Sequence, residues 1–161
     1  MTQLRKAEEK DRQLLFNVFQ KFLHEMTAYY DNPLNAEGNY EYGWLDSYFE
    51  DPERDAVLIY EDDRLAGFAL LNRVSYLDQK PDHVMAEFTV FPHFRRHHTG
   101  TRAVRQLFEL YPGRWELKYS RKNTGAVKFW NAVTKPYHPV RHRYGTDETV
   151  LTFDTEVHHA H

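Results

Sequence analysis

The residues best placed to do chemistry lie in one stretch, Glu87-Phe-Thr-Val-Phe-Pro-His-Phe-Arg-Arg-His-His-Thr-Gly-Thr-Arg-Ala-Val-Arg-Gln-Leu-Phe108. Arg95, Arg96, His97 and His98 crowd a short polar segment just ahead of Val104, Leu107, Phe108 and Tyr111, which recur at helical spacing. That spacing predicts a helix beginning near Gly100. The first turn of a helix leaves backbone N–H groups unpaired and carries the positive end of the helix dipole. Pointed back into a loop with two arginines and two histidines, it forms a site for phosphate or pyrophosphate.

A second group with chemical potential is Tyr29, Tyr30, Tyr40, Tyr42, Trp44 and Tyr48, set among Asp31, Glu37, Glu41 and Asp46. Aromatic faces and carboxylates together suit a cationic amine. The alternative is that these rings pack a small helix onto a sheet.

The elements that must hold these groups follow from pattern. Gln3 to Ala7 reads as a short strand. Leu14, Leu15, Val18, Phe19, Phe22, Leu23 and Met26 make an amphipathic helix that Asn32-Pro33 brings to an end. Asn35 to Tyr42 reads as a loop and Gly43 to Phe49 as a short second helix. Ala56–Tyr60 and Leu65–Leu71 flank a polar turn as a hairpin, and Gly67 marks a bulge or a close backbone approach. Ser75 to His83 is a polar loop, and Val84 to Val90 is the strand that delivers the basic turn. After Pro112-Gly113, Trp115 to Tyr119 alternates as a strand. Asn123 leads a helix with Ala126, Phe129, Trp130 and Val133 on one face, and Pro139–Tyr144 and Thr149–Phe153 form a last antiparallel pair.

Written as Val90-x-Pro92-x-x-Arg95-Arg96-x-His98-x-Gly100-Thr101-x-Ala103, the central stretch resembles the acyl-CoA signature of the GCN5-related N-acetyltransferase (GNAT) family. That signature is usually Arg/Gln-x-x-Gly-x-Gly/Ala after a strand ending in Val-x-Pro. His98 replaces its first glycine. Asn123-x-x-Ala126-x-x-Phe129-Trp130 is similar to the family's second signature, with Trp130 where a tyrosine is usual. The resemblance is strong from about Glu87 to Val133 and rests on element order elsewhere. It implies a mixed α/β fold, α+β-like, with a central, mostly antiparallel, splayed sheet flanked by helices. It implies one acyl-CoA N-acyltransferase domain over residues 1–155, with 156–161 as a disordered, His-rich tail.

The resemblance also implies a chemistry. Acetyl-CoA would lie along the strand at Phe88, Thr89 and Val90, with its pyrophosphate on Arg95, Arg96, His97, His98, Thr99, Gly100 and Thr101, and Asn123 would touch it from the next helix. The Val90 N–H would polarise the thioester carbonyl. Glu87 stands where many relatives place the base that takes a proton from the amine; its alternative is a structural hydrogen bond at a strand end. The family's tyrosine acid is absent, because an indole N–H at Trp130 donates a hydrogen bond but is no acid near neutral pH. Tyr137 is the candidate substitute.

Composition bounds the rest. At 161 residues the chain is long enough for one independent core, and without cysteine it has no disulfide, thiolate metal site or thiol nucleophile. No apolar run approaches the ~20 residues of a membrane span, so no membrane partner is expected and a cytoplasmic address is the default. Residues 1–87 carry 9 Lys+Arg against 18 Asp+Glu, and residues 88–161 carry 12 against 6. A basic half with an anion loop and an acidic half suit a polyphosphate cosubstrate meeting an amine. No metal is expected, since Pro139 breaks any helix that would align His138 and His142.

The leading reading is an N-acetyltransferase acting by direct attack in a ternary complex. Polyamine-like molecules, aminoglycoside-type antibiotics, amino acids and protein amines are all open as acceptors, and a homodimer is compatible with the resemblance. One alternative is an acyl-CoA sensor or scaffold with weak catalysis. Another is nucleic-acid binding through Arg95, Arg96, Arg102, Arg105, Lys118, Arg121 and Lys122, which the overall acidity and the lack of a nucleic-acid motif weigh against.

Overall fold

The computed structural model describes residues 1–156. Seven strands form one sheet: β1 (Thr2–Lys6), β2 (Asp55–Glu61), β3 (Arg64–Asn72), β4 (His83–Val90), β5 (Arg114–Ser120), β6 (Val140–Tyr144) and β7 (Glu148–Asp154). Their order is β1-β2-β3-β4-β5-β7-β6, and every pairing is antiparallel except that of β4 with β5. Four helices cover the sheet: α1 (Arg12–Met26), α2 (Ser47–Glu50), α3 (Thr99–Leu110) and α4 (Thr124–Thr134).

Both faces of the central strands are covered, which is why β2 and β3 read as near-continuous apolar runs. On one face Leu58, Phe68 and Leu70 pack with Leu15, Phe19 and Phe22 of α1 and Tyr48 of α2. On the other, Val57, Ala69 and Leu71 pack with Val104, Leu107 and Phe108 of α3 and Trp130 and Val133 of α4. Each large side chain sealed this way contributes about 1.5–3 kcal/mol. Phe108 meets Trp115 and Phe153 edge to face and anchors α3 over β5 and β7.

The expected elements are present, most strand bounds shifting by a residue. The first strand begins one residue earlier, at Thr2. The second helix contracts to Ser47–Glu50, because residues 43–46 close i to i+3 turns, with Ser47 N–H on Trp44 O at 3.1 Å and Tyr48 N–H on Leu45 O at 3.1 Å. The tail expected over 156–161 lies, from Val157 on, outside the described residues. Among the described residues, no helix is long and apolar enough to cross a membrane.

The sheet opens between β4 and β5. These strands pair only at His83 with Trp115, Val84 with Glu116 and Met85 with Leu117. Ala86 is then skipped in the β3 register, which passes from Leu71–Met85 to Leu70–Glu87. A bulge of this kind bends its strand. Past it, Glu87 to Val90 stays with β3 while Lys118 to Ser120 stays with β7, and a fork results. Gly67 holds β3 tight against the far side of that fork: a Cβ there would sit 2.1 Å from the Thr89 carbonyl oxygen, the close approach its place in the strand suggested.

Candidate functional site

The fork opens into a cleft of about 770 Å³ lined by β4 and β5, the end of α1, the residue 94–101 turn and the first turns of α4. Strand alternation decides what the β4 backbone presents there. The Phe91 N–H donates to Ala66 O at 2.7 Å, and the Thr89 carbonyl points at Gly67, so these groups face β3. Successive residues of an antiparallel strand point their backbone groups to opposite sides. The N–H groups of Phe88 and Val90 therefore face the gap that β5 has left. Phe88 lays its ring parallel to Phe129, centroids 5.6 Å apart, and meets Trp130 edge to face at 5.3 Å, which floors the cleft with aromatic surface.

At the mouth, α3 begins at Thr99, close to the expected start. Its first closing bond to the loop is Arg102 N–H on His98 O at 3.0 Å, so the N–H groups of Thr99, Gly100 and Thr101 belong to the open first turn. Arg96 and His98 both take left-handed backbone angles, φ +66° and +63°. His98 thus adopts the conformation that a glycine would take freely. Gly100 lets α3 approach α4, since a Cβ there would meet the Phe129 ring at 3.1 Å.

The loop's side chains are not equivalent. Arg95 is committed: its Nε donates to Val90 O at 2.7 Å, and its two Nη atoms clasp Glu25 of α1 at 2.8 and 2.7 Å. The Thr99 hydroxyl donates to Glu61 at 2.8 Å, where Arg102 and Thr2 also donate. Burial works against the Glu61 carboxylate, but bonds from Arg102, Thr2, the terminal ammonium and Thr99 outweigh it and hold its pKa well below the usual range. Arg96, His98, Gly100 and Thr101 line the cleft, whereas His97 is exposed outside it. Asn123 lines it too, and its Oδ1 accepts the Ala126 N–H at 3.1 Å, so the Asn-x-x-Ala spacing is an N-cap on α4.

Glu87 projects to the α1 face at the fork, deep in the molecule but open to the cleft. Desolvation pushes its carboxyl up to about 8, against the pull of Lys118. Around it stand Tyr30, Tyr42, Tyr48 and Tyr76. Burial first, and the Glu87 charge second, raise the phenols of Tyr42 and Tyr76 above the ordinary range. The expected aromatic group is divided by the fold. Tyr29 and Tyr30 reach the cleft; Tyr40 is buried with its hydroxyl 2.7 Å from His24 Nδ1; Trp44 is exposed under the Arg54 guanidinium.

The sequence assigns none of three further chamber residues to the acetyl-transfer site, and brings Lys118 forward only in the nucleic-acid alternative. Tyr76 sits on the loop before β4, pinned by Glu116, whose carboxylate accepts the Ser75 hydroxyl at 2.5 Å and the Tyr76 N–H at 2.9 Å. Tyr144 of β6 meets Tyr76 edge to face at 5.9 Å. Lys118 of β5 brings its Nζ over both rings. The available signal was period-two alternation: Trp115, Leu117 and Tyr119 face the α3/α4 core, which sends Glu116 and Lys118 to the opposite face.

Trp130 is buried on the cleft wall. Tyr137 does not join it. Its ring packs against Phe108 and Phe153, away from the cleft, because the turn of residues 135–137 folds back onto the α3 side of the sheet. Among the described residues no His, Asp and Glu cluster of three or more could hold a metal ion. His142 instead bonds the Thr152 hydroxyl at 3.0 Å across the β6–β7 pair.

The model of the acetyltransferase (GNAT) family matches residues 19–133, more than two-thirds of the chain. Among solved structures, the chain is similar to an acetyltransferase from Thermus thermophilus at TM-score 0.68 and 17% identity, over 96% of this chain and 97% of that one. It is similar to the PaiA N-acetyltransferase of Thermoplasma acidophilum, solved in complex with coenzyme A, at TM-score 0.65 and 11% identity, over 96% and 99%. A ribosomal-protein alanine N-acetyltransferase from Escherichia coli aligns at TM-score 0.64 and 13% identity, over 96% and 94%. A search of curated protein sequences finds no match. With the family model spanning both signatures, and the forked sheet of the same fold around them, the chain belongs to the acetyltransferase (GNAT) family.

Proposed function

We propose that the protein transfers an acetyl group from acetyl-CoA to a primary amine by direct attack in a ternary complex, with Glu87 as the base. The observation that carries this reading is the position of Glu87. A carboxyl whose pKa is pushed up to about 8 faces a cleft along which the β4 N–H groups of Phe88 and Val90 have no strand to pair with.

The residues present fit the cosubstrate. The cleft falls in the range of small-molecule sites, about 300–1,000 Å³. The N–H and C=O of Phe88 and the N–H of Val90 offer a strand edge to an amide-bearing pantetheine arm. The first turn of α3, with Arg96 beside it, offers N–H donors and positive charge to a pyrophosphate. Arg95 serves as a strut that fixes the loop to α1 through Glu25. Acetyl-CoA supplies the activated acyl group, and the chain supplies the rest. The Val90 N–H donates to the carbonyl oxygen as it gains charge. Glu87 takes the amine proton, a task for which a carboxyl near neutrality is matched. Thiolate departure needs no acid, because a thiol of pKa about 8.5 is a tolerable leaving group; Trp130 contributes a hydrogen-bond donor and a wall. PaiA and the ribosomal-protein enzyme acetylate under different names on this one fold, so the acceptor follows from this chain's own chamber, whose tyrosines and acids suit an amine.

Thiol release from acetyl-CoA, followed with a panel of primary amines, tests the reading. Wild-type protein should turn over at least one amine, and Glu87→Gln should lose about 10²- to 10⁴-fold in kcat. Binding of acetyl-CoA without thiol release would favour the second reading, a sensor or scaffold, which the replacement of the usual tyrosine by Trp130 supports. Absence of any acetyl-CoA binding would overturn both.

A further inference from the structure

The chamber beside Glu87 already contains an alkylammonium. Lys118 Nζ lies 4.7 Å from the Tyr76 ring centroid and 5.3 Å from that of Tyr144, and it pairs with Glu148 Oε2 at 3.3 Å. Two aromatic faces and a carboxylate are the elements that hold an amine ligand. The same Oε2 accepts the Tyr30 hydroxyl at 2.9 Å, which fixes Glu148 in place. The cage is built into the fold: Glu116 pins Tyr76, and β6 and β7 carry Tyr144 and Glu148 as a register pair.

The position of Lys118 is as telling as its surroundings. Leu117 is the last β5 residue paired with β4, so Lys118 is the first residue past the fork. Its side chain leaves β5 on the same face of the sheet as Glu87 and lines the same cleft as Phe88 and Val90. It is three-quarters buried, whereas Lys21 and Lys128 are exposed on the surface.

We infer that Lys118 is an internal acceptor, a lysine that the protein acetylates on itself when acetyl-CoA is bound and no external amine fills the chamber. The inference rests on the acetyl-transfer reading above. In the step, Lys118 Nζ gives up a proton to the Glu87 carboxylate and its lone pair attacks the thioester carbonyl carbon. The C–N bond forms and the C–S bond breaks, the second nitrogen proton lost from the intermediate goes to the departing CoA thiolate, and Glu87 returns the first to solvent, so one acetyl-CoA is consumed and one proton is released per Lys118 amide. The product amide has no charge for Tyr76, Tyr144 or Glu148 to hold, so the modified side chain leaves the cage and the chamber loses its resident cation. An external amine that occupies the cage competes with the self-reaction.

The test is a time course of the purified protein with acetyl-CoA and no added amine, read by peptide mass spectrometry at each lysine. Lys118 should gain one acetyl group first, faster than exposed Lys21 and Lys128. Excess coenzyme A should slow Lys118 without affecting those two, and Glu87→Gln should slow Lys118 alone, by about a hundredfold. The coenzyme A arm needs no substitution and stands if the variant folds poorly. Acetylation of Lys118 no faster than that of Lys21 and Lys128, in a preparation that acetylates added amines, overturns the inference and leaves the acetyl-transfer reading intact. Failure to bind acetyl-CoA at all overturns both.

Discussion

Glu87 reaches the chamber because of its neighbour. The bulge at Ala86 resets the alternation of β4, so that Met85 and Phe88 both serve the α3/α4 core while Glu87 turns to the α1 face. The cost of placing a carboxyl there is visible in its pKa, about 8 against an ordinary 4.5, and has a sign that can be measured. Between those values the folded protein holds a proton that the unfolded chain has released. Unfolding free energy therefore falls as pH rises from about 4.5 to about 8 and is level above that as far as this group is concerned. Other groups titrate in the same range, including His83, which burial lowers and which acts in the opposite sense. The comparison of wild type with Glu87→Gln cancels them. Urea midpoints of the two proteins should diverge between about pH 5 and about pH 9, with the variant relatively more stable at the alkaline end. A constant difference across the range would mean that Glu87 ionises at its ordinary pKa. The carboxylate that forms near pH 8 is the base proposed above, and on that proposal kcat/KM should rise over the pH range in which this stability is lost.

The turn from β4 into α3 needs a left-handed residue at position 98, and histidine fills it. An L side chain pays roughly 1–2 kcal/mol there. Glycine would avoid that strain but release more entropy on unfolding, worth about 0.4–1 kcal/mol the other way. His98→Gly should accordingly shift stability by less than about 1 kcal/mol, whereas His98→Val, whose β-branch is an outlier at positive φ, should lose further stability, on the order of 1 kcal/mol. Urea denaturation of the pair checks this, and equal losses would show that the backbone at 98 is not what matters. The departure from the glycine pattern, legible at His98, thus changes the cost of the loop and not its shape. Other elements were legible for the same kind of reason: α1, α3 and α4 are long enough for their apolar faces to repeat, and Asn123 and Ala126 stand at capping distance. The contraction of α2 was not, because Trp44, Leu45, Tyr48 and Phe49 satisfy a helical spacing and a run of turns equally well. Nor was the distribution of the tyrosines, since Tyr40 and Tyr30 differ only in where the chain carries them.

At the scale of the molecule, what the sequence could not disclose is pairing over long distances. The apolar strands were readable, but that β4 and β5 share only three residue pairs, and that Lys118 and Tyr144 meet from strands on one side of the fork while Tyr76 comes from the other, depends on register. The two parts of the sheet are tied across the cleft by side chains. Tyr30, in the turn after α1, bonds Glu148 of β7, and the loop before β4 bonds Glu116 of β5. The middle of the sheet therefore contains backbone N–H groups with the exposure of an edge strand. Hydrogen exchange should find this directly. The amides of Phe88 and Val90 should exchange fast beside slow neighbours at Thr89 and Phe91, an alternation that a closed sheet would not give. Coenzyme A lying along β4 would supply the missing partner, slow the Phe88 and Val90 amides specifically, and add about 2.7 kcal/mol of stability at 100 times its Kd. ATP shares its adenine and phosphates but has no pantetheine arm, so it should leave Phe88 and Val90 fast even where it reaches the α3 turn. Protection of Thr99 to Thr101 without protection of Phe88 and Val90 by coenzyme A would make the turn a simple anion site and move the acyl group out of the fork.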